Sequence, residues 1–287
     1  MILKNVELKN RILILVNYFK LFRFDALLIS FFTYIIGASL AGKNKVDDVL
    51  LAFTVTLIST NFIYSFNSWT DRDIDRINKS YRPIPSGKIS QHHAFIYAMF
   101  LLICSLIYPF FIFKNAITLL LFLLLPVLGV LYSAEPFRFR KYPLLATITI
   151  STGLVIPILL GYLMNSDDYS TMPFFLTLFF YCLAVIPLKQ IEEEKEDSAC
   201  KLPNLFIKYG KNLLCVSVMG LLLNFIISAL IISDFQLRLF SLLFNSSTMI
   251  VVLLFFKFEL KLHRLYTVII QTVIIESMLL YIALNMI

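Results

Sequence analysis

The chain has 287 residues, of which 59% are hydrophobic and only 15% are charged. A soluble domain usually carries about 25% charged residues, so this composition excludes an ordinary soluble fold and indicates a membrane protein. The formal net charge is +7, and the basic residues lie mainly in short loops between apolar segments. We attribute part of this charge to contacts with anionic lipid head groups. We expect no nucleic-acid partner, because no soluble domain presents a basic face.

Nine apolar segments approach the roughly 20 residues that a helix needs to cross a bilayer. In chain order they are Phe24–Ala41, Leu50–Phe66, Ala94–Phe113, Ala116–Ser133, Leu144–Met164, Phe174–Leu188, Leu213–Ser233, Leu237–Phe256 and Leu265–Met286. The predicted fold is therefore all-α, with nine transmembrane helices in one bundle around a central cavity. We expect residues 1–287 to form a single transmembrane domain. The two longest charged loops follow spans two and six, which suggests two related four-helix units, spans 1–4 and 5–8, with a ninth span added.

Basic residues are distributed very unequally among the loops. Of the 25 Lys and Arg residues, all but four lie in the N-terminal segment or in the loops after spans two, four, six and eight. The four exceptions are Lys43, Lys45, Lys114 and Arg238. Because cytoplasmic loops carry an excess of Lys and Arg, the sequence predicts a multi-pass protein whose N-terminus and charged loops lie in the cytoplasm.

A first polar cluster stands at the end of span two, where Asn67, Asp71 and Asp75 are spaced four residues apart. On a helix this spacing puts all three side chains on one face. Carboxylates so placed repel one another unless a cation lies between them, and oxygen ligands of this kind suit magnesium or calcium. The alternative is a solvated helix end at which Arg72 and Arg76 neutralise the acids. The position directly after an apolar span favours a functional role.

Two further segments carry basic residues near the membrane face. The run Arg82-Pro83-Ile84-Pro85-Ser86-Gly87-Lys88 forms a Pro- and Gly-defined turn that can direct Arg82 and Lys88 toward a phosphate. After span four, residues 132–141 alternate aromatic and basic side chains. This second segment could line a site that is apolar inside and cationic at its mouth, or it could serve as an ordinary interface anchor.

A second polar cluster follows span six, where five acids occupy the six positions from Glu192 to Asp197. Gln190, Glu193 and Asp197 share one helical face, and Gln190 also shares a face with Glu194. Repulsion among these carboxylates destabilises the fold unless a cation lies nearby. The run indicates either a second cation site or a charged cytoplasmic loop.

These motifs together resemble the UbiA superfamily of intramembrane prenyltransferases. The family's first signature is similar to NDxxDxxxD followed by RPxPSG, and the resemblance covers most of the chain up to about Gly210. The matching residues here are Asn67, Asp71, Asp75, Arg82, Pro83, Pro85, Ser86 and Gly87, with Tyr132, Ser133 and Arg138 resembling the loop after the family's fourth helix. Ser68 departs from the family's Asp. The second signature, similar to DxxxDxxxD, stands here as Gln190, then Glu193 or Glu194, then Asp197, depending on register.

The resemblance implies a fold, an activity and a set of roles. The expected activity is transfer of a prenyl group from a prenyl diphosphate to a lipophilic acceptor within the membrane, with Mg²⁺ as cofactor. An aromatic ring is the preferred acceptor class, although RPIPSG leans toward the lipid- and chlorin-using branches. The expected Mg²⁺ ligands are Asn67, Asp71, Asp75, Gln190, Glu193, Glu194 and Asp197. The expected diphosphate-binding residues are Arg82, Lys88, Tyr132 and Arg138. Acids Asp71, Asp75, Glu193, Glu194 and Asp197 are expected to be catalytic, and one of the second cluster could take up the released proton.

Another function class also fits a polytopic chain. A secondary transporter of a small ion or metabolite would need polar residues near the bilayer midplane, for which Gln271 and Glu276 are the candidates. A CDP-alcohol phosphotransferase would carry an Asp-Gly and Ala-Arg signature, and the sequence contains no such run.

Overall fold

A computed structural model describes residues 16–18, 20–21, 23–42, 46–258 and 262–285. These residues form helices and connecting turns, with no strand among them, which confirms the all-α prediction for this part of the chain. Short 3₁₀ turns lie at Phe139–Lys141, Ile186–Leu188 and Leu262–Arg264. The α-helices, numbered here in chain order, are α1 (Phe24–Leu40), α2 (Val46–Thr70), α3 (Arg72–Asn78), α4 (Gln91–Ile107), α5 (Pro109–Ile112), α6 (Ala116–Ser133), α7 (Pro143–Leu163), α8 (Met172–Val185), α9 (Lys189–Glu192), α10 (Glu194–Ala199), α11 (Leu205–Tyr209), α12 (Asn212–Ile231), α13 (Phe235–Lys257) and α14 (Leu265–Asn285).

Seven stretches of the described residues are helical, long and apolar enough to cross a membrane. They are Val49–Thr70, Gln91–Ile112, Ala116–Ser133, Pro143–Leu163, Met172–Glu192, Asn212–Ile231 and Phe235–Lys257. A shorter apolar helix covers Ala26–Leu40. The multi-pass membrane architecture is thereby confirmed, whereas the count of nine spans, the single domain and the central cavity stay predictions. Six basic residues lie outside the described residues, namely Lys4, Lys9, Arg11, Lys43, Lys45 and Lys261.

Several helices begin at residues that satisfy their first backbone N–H groups. Asn115 accepts a hydrogen bond from Ile117 N at the start of α6, and Asp234 accepts one from Leu237 N at the start of α13. Asn and Asp are among the best residues at this position, because a side-chain oxygen replaces the missing carbonyl of a preceding turn. Helix α7 instead begins with Pro143, which needs no N–H partner there.

The chain divides into two compact units. The first comprises residues of Met1–Tyr34 and Lys45–Arg138. Its core contains the buried side chains of Phe62 and Phe66 on α2 together with Ala98 and Leu101 on α4. The small Ala98 side chain is fully buried, which allows the helices to approach closely without leaving a void.

The second unit comprises residues of Ile35–Asn44 and Phe139–Ile287. Helices α8, α12 and α13 meet there through buried polar side chains. Asn224 donates to Asn245 Oδ1 at 3.1 Å, and the hydroxyls of Tyr181 and Thr248 lie 2.6 Å apart. Hydrogen bonds between helices are a common means of association inside a membrane, where apolar contact alone gives little advantage over lipid.

Large apolar side chains also project outward from the helices. Phe100, Met219 and Leu230 are 60%, 70% and 78% exposed, and many residues of the same kind accompany them. A water-soluble monomer rarely exposes so much apolar surface, so this surface is suited to contact with lipid.

Candidate active site

The first polar cluster lies on an almost continuous helical path from α2 into α3. A turn at Asp71 separates the two helices, yet Asp71 N still donates to Asn67 O at 2.9 Å and Asp75 N to Asp71 O at 2.8 Å. These are helical hydrogen bonds between residues four apart. The spacing therefore keeps Asn67, Asp71 and Asp75 on one face, as the sequence predicts.

Both carboxylates of this face are buried. Asp71 is 1% exposed and Asp75 is 4% exposed. The Asn67 side-chain amide donates to Asp71 Oδ2 at 2.9 Å and to Ser133 Oγ at 3.2 Å. Ser133, at the end of α6, therefore holds Asn67 against the acid. Burying an ionised group is costly unless it is paired and hydrogen-bonded, so the cluster needs positive charge.

Two arginines from outside the helix supply that charge. Arg82 Nη1 lies 2.6 Å from Asp75 Oδ2, and Arg138 Nη2 lies 3.3 Å from Asp71 Oδ1. Arg138 adopts a φ of 34°, a left-handed conformation that residues other than glycine rarely occupy. Each buried carboxylate thus has one arginine partner from a different loop.

The arginines within α3 serve a different acid. Arg76 pairs with Asp73 at 3.2 Å on the exposed side of the helix. Arg72 donates to Trp69 O at 2.9 Å, with its guanidinium carbon 5.2 Å from the centre of the Trp69 ring. The structure therefore does not follow the alternative in which Arg72 and Arg76 neutralise the buried pair.

The turn after α3 is anchored by apolar residues. Ile84 and Ile89 are each 5% exposed and pack in one cluster with Leu21. Gly87, with a φ of 72°, allows the chain to reverse between them. This anchoring holds Arg82 at Asp75, while Lys88 is exposed.

A small pocket opens beside Asp75 and Arg82 and is also lined by Lys20 and Arg23. Sequence reasoning counted Lys20 and Arg23 only as basic residues of the N-terminal segment and missed their proximity to the site. A contact between residues so distant along the chain leaves no local sequence signal. Of the other predicted diphosphate-binding residues, Tyr132 is half-buried in the last turn of α6.

The second polar cluster is centred on Asp197, which is 9% exposed. Its Oδ2 accepts a hydrogen bond from Asn204 Nδ2 at 2.7 Å. Asn204 also donates to the backbone oxygen of Gln190 at 2.8 Å. The Gln190 side-chain oxygen accepts from Leu205 N at 2.6 Å. Gln190 and Asp197 are therefore joined through one loop.

Three other acids of the run, Glu192, Glu193 and Glu194, have different surroundings. Glu193 pairs with Lys189 at 2.9 Å, Glu194 is exposed, and Glu192 Oε1 accepts from Thr267 N at 2.8 Å. Burial raises the pKa of Asp197, the hydrogen bond from Asn204 lowers it, and the nearby charge of Glu193 raises it further. The structure thus brings Glu193 near Asp197 and leaves Glu194 in the open.

Sequence reasoning also missed Asn204. A signal was present, because an Asn that follows Pro203 and precedes Leu205-Phe206-Ile207 is a typical helix start. Its side-chain oxygen accepts from Phe206 N at 2.8 Å and Ile207 N at 3.1 Å. The helix start was readable from the sequence, but the contact with Asp197 was not.

The donor set fits magnesium better than a softer metal. Among the described residues, no group of three or more His, Cys, Asp or Glu side chains is placed to enclose a metal ion. Magnesium in phosphate-binding sites usually takes one or two carboxylates and completes its shell with water and substrate oxygens. The buried pair Asp71 and Asp75, with the Asn67 amide and two arginines beside it, matches that pattern.

Comparison with known proteins decides the family. The sequence matches the UbiA prenyltransferase family over residues 30–268. The chain belongs to the UbiA prenyltransferase family. This confirms the family expected from the motifs, and it leaves the transporter alternative without support. Glu276, a candidate for that alternative, lies near Ser247 of α13.

Relatives and solved structures agree with this assignment. The chain is 28% identical over 252 residues to a digeranylgeranylglyceryl phosphate synthase of Methanococcus aeolicus, covering 86% of each protein. It is 28% identical over 219 residues to a protoheme IX farnesyltransferase of Baumannia cicadellinicola, covering 70% of this chain and 71% of that protein. A UbiA homologue from Archaeoglobus fulgidus bound to GPP and Mg²⁺ superposes with a TM-score of 0.74 at 20% identity, covering 92% of this chain and 99% of that one. This last likeness concerns the fold.

Proposed function

We propose that this prenyltransferase moves a prenyl group from a prenyl diphosphate to a lipophilic acceptor in a magnesium-dependent reaction. The observation that carries the proposal is the buried carboxylate pair Asp71 and Asp75, each held by an arginine from a separate loop. A prenyl diphosphate has a chain that partitions into lipid and a head that needs cations. A site with these charges next to apolar helices offers both environments.

The proposed metal ligands follow from the two clusters. Asn67, Asp71 and Asp75 would hold one Mg²⁺. Glu193 and Asp197 would hold a second, with Gln190 or Glu194 as the third ligand according to register. When bound, Mg²⁺ neutralises charge on the diphosphate and so makes it a better leaving group. The Mg²⁺-bound structure of the Archaeoglobus fulgidus homologue supports this choice of metal.

The chain's own residues would carry the remaining steps. Arg82 and Arg138 would donate to diphosphate oxygens and stabilise the charge that develops as the allylic C–O bond breaks. Lys88 and Tyr132 would extend this contact at the mouth of the site. The acceptor nucleophile attacks the allylic carbon, and Asp197 or Glu193 takes the proton that it releases. Apolar helices keep water from the allylic cation.

The support for a particular acceptor class comes from the relatives of this chain. The curated relatives named digeranylgeranylglyceryl phosphate synthase favour a glycerol phosphate lipid as acceptor. The family resemblance gave an aromatic ring as the preferred acceptor, whereas the RPIPSG motif leaned toward the lipid- and chlorin-using branches. We propose the glycerol phosphate lipid as the first acceptor to test. The aromatic acceptor is the second candidate, supported by the similarity to a protoheme farnesyltransferase.

A donor and acceptor panel tests the activity. The purified chain in lipid nanodiscs should transfer radiolabel from geranyl, farnesyl or geranylgeranyl diphosphate to geranylgeranylglyceryl phosphate, and EDTA should abolish transfer. Protoheme and aromatic acids such as 4-hydroxybenzoate serve as alternative acceptors. Transfer to protoheme or an aromatic acid alone would overturn the lipid assignment, and absence of transfer to any acceptor would contradict the activity. Retention of activity in EDTA would contradict the metal requirement.

The proposed topology is nine spans with the N-terminus and both polar clusters in the cytoplasm. An odd number of spans places the C-terminus on the opposite side of the membrane. We expect alkaline phosphatase fused after Ile287 to be active in a bacterial host and a fluorescent protein fused there to be dark. The reverse pattern would contradict either the count or the orientation. A fusion after Gly210, in the second charged loop, provides the matched cytoplasmic control.

A further inference from the structure

Asn204 occupies a position that the proposed catalytic roles do not explain. It lies outside the acidic run, is 5% exposed, and uses both ends of its amide. The oxygen accepts from Phe206 N and Ile207 N, which starts α11. The nitrogen donates to Asp197 Oδ2 and to the Gln190 backbone oxygen. A residue needed only to start a helix would use the oxygen alone.

The two donor bonds join the chain on either side of a turn in the helical path. Gln190 belongs to α9 and Asp197 to α10, with a break at Glu193 between the two helices. Backbone hydrogen bonds still cross this turn, from Glu193 N to Lys189 O at 3.3 Å and from Asp197 N to Glu193 O at 2.9 Å. Asn204 bridges the break, since it binds a backbone atom on one side and a carboxylate on the other.

The Gln190 side chain also bonds to the segment that contains Asn204. Its side-chain oxygen accepts from Leu205 N at 2.6 Å, directly after Asn204. We call this set of three hydrogen bonds the amide clamp. It comprises the bond from Leu205 N to the Gln190 side chain and the bonds from Asn204 to the Gln190 backbone oxygen and to Asp197 Oδ2. The clamp binds Asp197 through Oδ2.

We propose that Asn204 is a positioning residue that orients the Asp197 carboxylate for cation binding, an inference that rests on the proposed role of Asp197 in magnesium binding. Groups that hydrogen-bond to a metal-binding carboxylate set its orientation and basicity, and their loss typically weakens metal affinity or activity by about 10- to 100-fold. The separate use of the two amide atoms allows this role to be tested apart from helix capping.

The decisive variant is Asn204→Ser. Serine starts helices nearly as well as asparagine, but its hydroxyl is too short to replace the amide donor at Asp197. Asn204→Ala removes both functions. Asn115→Ala removes a helix cap from α6 at a site with no acidic cluster and is the matched control for capping. Asn204→Thr also keeps a capping hydroxyl and removes the amide donor, and it replaces Asn204→Ser if that variant does not fold.

The measurements are Mn²⁺ binding to the detergent-purified protein by electron paramagnetic resonance, the Mg²⁺ concentration for half-maximal prenyl transfer, and the melting temperature. We expect Asn204→Ser to weaken binding at one Mn²⁺ site and to raise the half-maximal Mg²⁺ concentration, each by about 10- to 100-fold. The melting temperature should stay near that of the wild type. Asn115→Ala should lower the melting temperature and leave Mn²⁺ binding unchanged.

Two outcomes distinguish a failure of this inference from a failure of the proposed magnesium site at Asp197. If Asp197→Ala weakens Mn²⁺ binding but Asn204→Ser and Asn204→Thr bind as the wild type does, Asn204 only starts a helix and the inference is wrong. If Asp197→Ala itself leaves Mn²⁺ binding unchanged, the second metal site is wrong, and the role of Asn204 fails with it.

Discussion

Prenyl transfer should fall by about a hundredfold or more in Asp71→Asn, as expected when one preorganised electrostatic group is removed from a reaction centre. The exchange is nearly isosteric, so it removes charge while changing the packing little. Asp71 is 1% exposed and lies 3.3 Å from Arg138. The same loss is expected for Asp75→Asn, because Asp75 is buried against Arg82 in the same way.

Asp73→Asn is the matched control for this prediction. Asp73 lies on the same short helix, between the two buried acids, but it is exposed and pairs with Arg76. Exposed ion pairs contribute little to stability, so this variant should retain wild-type activity. Initial rates at saturating Mg²⁺ should be compared with elution profiles and melting temperatures for all three variants. A folded Asp71→Asn protein that transfers prenyl groups as fast as Asp73→Asn would refute the assignment of the first site.

The second large effect concerns folding. A methyl group at Gly37, on α1, would lie 1.9 Å from the backbone oxygen of Ile158, on α7. Backbone atoms cannot rotate away as a flexible side chain can, so Gly37→Ala forces the two helices apart. Overpacking of this kind typically costs about 1–3 kcal/mol and occasionally more, and a clash with backbone falls at the upper end, so we expect low yield and a lower melting temperature.

Gly153→Ala provides the comparison on α7 itself. A methyl group there meets no atom of another part of the described chain within 4 Å, and alanine favours the helix over glycine by roughly 1 kcal/mol. Gly153→Ala should therefore express and melt like the wild type or slightly better. Fluorescence-detected gel filtration and thermal unfolding in one detergent test both variants. Equal melting temperatures for the two would show that α1 and α7 do not pack through Gly37.

Features that depend on local chemistry were predictable from the sequence. Apolar runs identify membrane helices, because hydrocarbon excludes charged loops and unpaired backbone groups. Seven of the predicted spans correspond to long apolar helices among the described residues. Asn67, Asp71 and Asp75 share a face because helical periodicity acts over four residues. The family motifs around these residues then indicated the chemistry.

Burial and pairing were not predictable in this way. The acidic run offers Glu193, Glu194 and Asp197 as similar residues, yet only Asp197 is buried and bound by Asn204. The four-residue spacing puts Asp73 on a different face from Asp71 and Asp75, but it does not specify which of the two faces is buried.

The sequence alone therefore determined the helical membrane architecture, the two polar clusters and the family, since each depends on residues close together in the chain. Only the tertiary structure decided which acids are buried, which arginines face them, and that Ser133 and Asn204 hold them. Those contacts join residues as far apart as Asn67 and Ser133. The physical reason is that desolvation and ion pairing depend on distances in space, which residue spacing along a chain does not specify.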